Sequence, residues 1–468
     1  PILPPVPGVD GENIFTLRNI PDTDQIKNVV DNEEPESAVV VGAGYIGVEM
    51  AENLHDRGLD VAIVEMAPQV LGPIDQEMAA QVHNHLRMNE IDLYLDNAVA
   101  GFRDEAGMKK VELQDGRELS TDLVVMSAGV KPQTELAAEA GLEIGETGAI
   151  KVNDYLQTSD ENIYALGDAI EVENIVTSQP AHIPLAGPAN KQGRIVANNL
   201  AGEPEKFSGA QGTAIAKVFN LAVGATGANE KQLQETDIDY EKAYLIRKNH
   251  AGYYPGATPM KIKVLFTPEE GQLLGAQVVG YDGVDKRVDV FATAIKFEKT
   301  VFDLQELDLA YAPPFGSAKD PVNMAGFVAG NMLEGKVEMV HWNEVDERGE
   351  DSIILDVRED VEVKLGMIED AVHIPLNDLR DRLDELDEEK EIVVYCAVGL
   401  RGYLGARILM QNGFDDVKNL SGGYKLYEEV LKDQQEIIDN STTAECERLT
   451  SVMTPAEGRY NKEMLEEC

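Results

Sequence analysis

Residues 36–66 read ESAVVVGAGYIGVEMAENLHDRGLDVAIVEM. Ala38 to Val41 is an apolar run of strand type. It runs into Gly42, Gly44 and Gly47, a G-x-G-x-x-G turn. Val48, Ala51 and Leu54 follow at helical spacing, and Gly58 is a suitable stop. A second strand, DVAIVE, ends at Glu65, eighteen residues after Gly47. This strand–turn–helix–strand context is what a dinucleotide-binding unit requires. Gly42 allows the tight turn, Gly44 lets the backbone approach a pyrophosphate, and Gly47 allows close packing of helix on strand. The helix N-terminus offers N–H donors and a positive dipole end to the phosphates. Glu65 can accept hydrogen bonds from both ribose hydroxyls and would repel a 2′-phosphate, so the pattern reads NADH over NADPH. With the acid and both strands in place, the glycines do more than form a turn.

Downstream, LVVMSAGVKPQTEL supplies a strand, then Ala128-Gly129 and a Lys-Pro turn that close the same domain. Further on, TSDENIYALGDAI (158–170) reads as a short strand, Asn162 to Leu166, ending in Gly167-Asp168. Near the C-terminus, SIILDVRE is a buried-type strand ending at Asp356-Val357-Arg358. EIVVYCAVGLRGYLGARILMQNGF then places Cys396 at the end of a strand, before a helix from Gly402 to Met410. A cysteine in a strand-to-helix loop faces backbone N–H groups and a helix dipole, which favour a thiolate and a bound anion. Arg401 closes that six-residue loop and adds a cation.

Composition narrows the function classes. The 468 residues hold 85 acidic and 40 basic side chains, a formal charge of −45. That excludes nucleic acid as a natural partner, because phosphate binding needs a basic face. The acids are dispersed, which fits either an ordinary solvated surface or a cytosol rich in salt. No run is long enough to span a membrane, and the first residues do not read as a signal peptide. Cys396, Cys446 and Cys468 are too few and too scattered for a disulfide framework or a zinc site, so a reducing cytoplasm fits. His83 and His85, two apart on a helix, are read as surface residues. Residues 433–468 are polar and charged, an acidic tail read as a flexible extension or the start of a further module. A resolving role for Cys446 or Cys468 has nothing in the sequence to place it.

Five blocks occur in order: VVGAGYIGVEMAE, SAGVKPQTEL, IYALGDA, IPLAGPANKQGRIVANNLAG and YAPPFGSAKDPVNMAG. Together they resemble the coenzyme A-disulfide reductases of the pyridine nucleotide-disulfide oxidoreductase family, over roughly residues 1–335. The resemblance implies an FAD-binding domain, an inserted NAD(P)H-binding domain and a dimerisation domain, hence a homodimer. It implies that Asp168 meets the flavin's ribityl chain, unless it is only a cap or surface acid. It implies that the helix in PLAGPANKQGRIVANN faces the flavin ring. Tyr45 resembles the gate between nicotinamide and flavin, or is an ordinary aromatic beside a nucleotide. Tyr253 and Tyr311 match tyrosines that reach the partner subunit's redox cysteine, or are packed interface aromatics. The family's first glycine fingerprint and redox cysteine belong upstream of PILPPVPGVDGENIFTL, so residues 1–35 look like the tail of a truncated FAD domain, and FAD retention is expected to be weak.

The C-terminal blocks, with LSGGY at 420–424, resemble a rhodanese domain. That implies Cys396 as the nucleophile that takes up a sulfane sulfur as a persulfide, with Arg401 as an electrostatic contributor. The related phosphatases need a longer loop, so six residues favour sulfur. Asp356 and Arg358 are expected to organise the fold. The expected architecture is α/β throughout, with a Rossmann-like NAD(H) domain (36–149) inserted in a partial FAD domain (1–35 and 150–205). An α+β dimerisation domain (206–335) and a rhodanese-like α/β domain (338–432) complete it. The expected function is FAD/NADH-dependent reduction of a low-molecular-weight disulfide, persulfide or polysulfide, fused to sulfur transfer. That is the expectation for the family; for the truncated chain, sulfur transfer alone on an NADH-binding, dimerising scaffold is expected, without NADH-driven disulfide reduction, and a non-catalytic binding or sensing protein is the remaining reading.

Overall fold

A computed structural model describes residues 1–452 apart from Ala106 and Glu350, with side chains described up to Asp439. Cys468 and the side chain of Cys446 lie outside the described residues.

Five parallel strands form the nucleotide unit, in the order Ile14–Thr16, Leu123–Met126, Ser37–Val41, Asp60–Val64, Asp92–Tyr94. Side chains alternate across a strand. Ala38 and Val40 therefore face the helices Tyr45–Asp56 and Gln76–Met88, whereas Val39 and Val41 face an antiparallel meander of Val99–Glu105, Met108–Leu113 and Glu118–Thr121. Burial on both faces explains the unbroken apolar run at Ala38 to Val41. The boundary expected at residue 35 moves. Ile14–Thr16 is the edge strand of this sheet, and Ile26 and Val29 of the helix Ile20–Asn32 are buried in its core.

Residues 144–210 form a small unit around Ile150, Leu156, Ile170, Ile195 and Val196. Its longest element is the helix Ala186–Leu200. The strand expected at Asn162 to Leu166 is reduced to one bridge, Gln157 to Tyr164, because no neighbouring strand continues the ladder. Gly167–Ala169 is a single 3-10 turn.

The dimerisation unit is an antiparallel sheet in the order Ala214–Val218, Leu221–Gly227, Leu273–Gly280, Pro259–Phe266, Glu241–Lys248. One face carries the helices Val284–Lys296, Val301–Glu306 and Pro321–Leu333. Residues of the other face, among them Val223, Ala225 and Tyr244, join the core of the nucleotide unit. The last unit is a parallel sheet in the order Glu338–Val340, Val417–Leu420, Ile392–Tyr395, Ile353–Asp356, Val372–His373. The helix Leu400–Met410 covers one face, and the helix Gly423–Val452 covers the other.

Two sequence expectations fail here for one reason. Helix Gln76–Met88 is covered on both sides, so His83 (0% exposed) and His85 (6%) are buried rather than superficial. The helix that covers His83 is Gly423–Val452, which continues through the expected boundary at 432. Its Asp433, 1% exposed, bonds His83 and Arg87, so the tail is structured at least to Val452. A charged stretch can be helical and half-covered when a neighbouring unit supplies its partners.

At the junction of these units the Lys263 ammonium is fully buried. Asp75 and Glu77 of the nucleotide unit and Glu230 of the dimerisation unit all bond it. Tyr244 donates to Glu77, and Gln277 donates to Asp75. Burial alone would push the Lys263 amine toward neutrality; the carboxylates of Glu77, Asp75 and Glu230 hold it firmly protonated. Among the described residues no helix is long and apolar enough to cross a membrane.

Candidate functional site

The glycine turn adopts the geometry its residues require. Gly42 takes φ +101°, and a Cβ there would lie 2.4 Å from the Ser127 carbonyl oxygen. A Cβ on Gly47 would lie 1.9 Å from the Gly42 oxygen, so helix and turn touch through bare backbone. At Gly44 a Cβ would meet nothing within 4 Å. That open space lies over the N-terminus of helix Tyr45–Asp56, which no side chain caps. Phosphate oxygens fit there, against free N–H donors and the dipole end.

Glu65 points into the turn. One carboxylate oxygen accepts the Ala43 N–H at 2.6 Å and the other accepts the Ala67 N–H at 2.8 Å. Each oxygen keeps a further lone pair for a ribose hydroxyl. Tyr45 is half-buried against the core, and burial pushes its phenol up to about 12. Gly129, φ +103°, follows Ser127 and Ala128 along the rim beside Gly42, and its carbonyl accepts the Ile2 N–H at 2.8 Å. The fingerprint, Glu65 and Gly129 are thus brought together, and the residues fit a nicotinamide dinucleotide.

The residues expected at the flavin lie on a second group, the turn Gly167–Ala169 and the helix Ala186–Leu200. Gly167, φ +77°, donates its N–H to Gln192 Oε1 at 2.7 Å, which fixes the turn on helix Ala186–Leu200. Asp168 is exposed beside it, and its carbonyl lies 2.7 Å from the His182 ring nitrogen Nε2. The helix start at Ala186 carries no side-chain cap. In the dimerisation unit, Tyr253 and Tyr311 are exposed and their hydroxyls are 3.2 Å apart.

Cys396 ends the strand Ile392–Tyr395 and is 1% exposed, beside the apolar core of its unit. Its sulfur accepts the Gly399 N–H at 3.2 Å. Gly399, φ +100°, caps the helix Leu400–Met410. The loop is clamped from the far side, where Tyr424 N–H donates to the Cys396 carbonyl (2.8 Å) and Lys425 N–H to that of Ala397 (3.1 Å). A Cβ on Gly423 would lie 2.5 Å from the Cys396 oxygen, which explains the paired glycines of LSGGY. Arg401 lies beside the sulfur, but its guanidinium is held in a two-bond fork by Glu362, both contacts 2.6 Å. Asp356 and Arg358 are buried and bond each other, and Arg358 also donates to the Gly366 carbonyl, as a fold-organising pair should.

The comparisons with known proteins follow this division. The pyridine nucleotide-disulphide oxidoreductase model matches residues 1–193, its dimerisation-domain model matches 213–321, and the rhodanese-like domain model matches 341–429. A coenzyme A disulfide reductase of Staphylococcus haemolyticus is 37% identical over 69% of this chain and 72% of its own length. The chain belongs to the pyridine nucleotide-disulphide oxidoreductase family. An NAD(P)H coenzyme A polysulfide/persulfide reductase of Pyrococcus horikoshii is 35% identical over the same shares. Among solved structures, the reduced CoADR-RHD of Bacillus anthracis superposes with a TM-score of 0.90 at 49% identity, covering 92% of this chain and 78% of that one. An NAD-dependent persulfide reductase of A. fulgidus gives 0.85 at 40%, covering 91% and 78%. The chain is therefore an oxidoreductase of an FAD- and NAD(P)H-dependent family with a rhodanese-like domain attached.

Two members of these sites escaped the sequence reading. Glu362 was readable only as half of a capping pattern, Glu359-x-x-Glu362, which the structure forms. Asn419, which donates to the Gly399 carbonyl (3.3 Å), depends on a contact distant in sequence and left no local signal.

Proposed function

We propose that the chain uses NADH to reduce a low-molecular-weight disulfide, persulfide or polysulfide of the coenzyme A class, and relays sulfane sulfur through Cys396. Glu65 carries the cofactor choice. Its carboxylate already braces Ala43, and a 2′-phosphate would meet a fixed negative charge. The reductase stoichiometry is NADH + H⁺ + RSSR → NAD⁺ + 2 RSH. A bound flavin supplies the two-electron relay between nicotinamide and sulfur. Gly44 and the Tyr45–Asp56 helix start would hold the pyrophosphate, with Tyr45 at the nicotinamide end, and Asp168 would hold the ribityl chain. Tyr253 and Tyr311 present hydroxyls at the dimer face, where a leaving thiolate takes a proton.

At the other site the Cys396 thiolate attacks the outer sulfur of a persulfide R–S–SH. An S–S bond forms on Cys396, the S–S bond of the persulfide breaks, and R–S⁻ leaves and takes a proton to become the thiol RSH. The sulfur is covered at 1% exposure, so charging it requires the Ala397–Gly399 arch to shift. A homodimer in a reducing cytoplasm fits the dimerisation unit and the thiol state of Cys396. NADH-dependent loss of absorbance on adding coenzyme A disulfide or persulfide, with FAD supplied, tests the reductase. Thiosulfate:cyanide sulfur transfer, lost in Cys396→Ser, tests the transferase. Sulfur transfer alone, on an NADH-binding dimerising scaffold, is a second reading favoured by one observation: the Cys396 loop is built and clamped wholly within its own unit, by the Gly399, Tyr424 and Lys425 amides.

A further inference from the structure

We infer that buried His83 is a positioning residue for the dinucleotide turn, and that Asp433 of the rhodanese-like unit holds it in place. The inference rests on the NADH reading of the Gly42–Gly47 turn and extends it to the other end of the molecule.

The contacts form an unbroken series. Asp433 Oδ2 lies 2.7 Å from His83 Nδ1, and Arg87 donates to the other oxygen at 2.7 Å. His83 Nε2 accepts the Val70 N–H at 3.0 Å. That bond fixes the tautomer: Nε2 bears the lone pair, so Nδ1 bears the proton and donates to Asp433. The next residue, Leu71, donates its N–H to the Ala43 carbonyl at 2.9 Å, inside the glycine turn. Ala43 in turn donates to Glu65. Leu71 sits at φ +52°, a conformation few non-glycine residues adopt unless held. Val70, Leu71, His83 and Asp433 are each at most 1% exposed, so water cannot replace a lost partner. Asn229 also grips this loop, at the Gly72 carbonyl (3.2 Å), but one residue beyond the Leu71 contact. The helix that carries Asp433 begins on the Cys396 loop, through Tyr424 and Lys425. One helix therefore touches the Cys396 loop directly and reaches the dinucleotide turn through His83, and the docked rhodanese-like unit completes the nucleotide site.

The test compares His83→Asn, His83→Gln and Asp433→Asn in the full chain by NADH fluorescence titration. Asn reproduces the donor toward Asp433 but cannot accept from Val70; Gln does the reverse. The expected loss of NADH affinity is about tenfold for His83→Asn and about threefold for Asp433→Asn, with His83→Gln nearer the parent. Thiosulfate:cyanide transfer at Cys396 should stay within about twofold, because the variants leave that loop intact. Folded variants with parental NADH affinity would overturn the inference, as would NADH affinity and sulfur transfer falling together. Should His83→Asn not fold, the isosteric Asp433→Asn and faster hydrogen exchange at the Val70 and Leu71 amides decide; unchanged exchange and affinity would refute it. A parent chain that binds no NADH would instead sink the cofactor reading itself.

Discussion

The Tyr253 hydroxyl lies 3.2 Å from that of Tyr311, across fifty-eight residues of sequence, on an exposed face of the dimerisation unit. The hydrogen bond between Tyr253 and Tyr311 holds the Tyr311 phenol above the ordinary tyrosine range. Tyr253→Phe removes that partner, so the Tyr311 phenol should titrate lower. Ultraviolet difference titration reads this directly. Tyr311→Phe should slow disulfide reduction by about tenfold or more if its hydroxyl supplies the proton, and unchanged turnover would assign the pair to packing.

Arg401 lies between Cys396 and Glu362, and the fork from Glu362 sets its aim. Cys396→Ser should abolish sulfur transfer. Arg401→Ala should lower it by about tenfold and Glu362→Gln by about threefold, because the guanidinium loses one of its two anchors. Steady-state transfer rates rank the three variants.

Glu65→Gln keeps the shape of the ribose contact and removes its charge. NADPH binding should improve and NADH binding weaken, narrowing the preference by about tenfold or more. Equal titrations of both nucleotides before and after the change would remove Glu65 from specificity.

His341 gives a pH dependence with a definite sign. Burial, reinforced by nearby Lys242, lowers its imidazole from 6.5 to about 4, and Glu344 opposes the shift. Between those values the unfolded chain takes up a proton that the folded chain refuses. Stability is therefore fully present above the unfolded value and falls as pH drops from 6.5 toward 4. The loss from this group amounts to about 3 kcal/mol. His341→Phe, which preserves the edge contact with Tyr244, should flatten that window in urea midpoints measured against pH.

Lys263→Met would leave buried Asp75 and Glu77 without their cation, while Glu230 would keep only Lys242. Removing one partner of a buried ionic group costs about 3–5 kcal/mol, so the melting temperature should drop sharply. Lys263→Met with Glu77→Gln and Glu230→Gln together should recover part of the loss.

What was legible in the sequence is what local pattern controls. The glycine turn, its acid and the Cys396 loop depend on a few neighbouring residues and on alternation, and they fold as read. The burial of His83 did not show, because its partner Asp433 lies 350 residues away. The tail suffered the same way: charge suggested solvent, and a neighbouring helix supplied the counter-groups. The strand expected before Gly167 failed because a β-ladder needs a second strand that no local pattern guarantees.

The sealed ammonium of Lys263 has a bearing on how this acid-rich molecule meets its medium. Mobile ions damp repulsion among outer carboxylates, yet they do not enter a site closed to solvent. Diluting the electrolyte should therefore swell and loosen the periphery first, while the joint at Lys263 holds its three anchors in register.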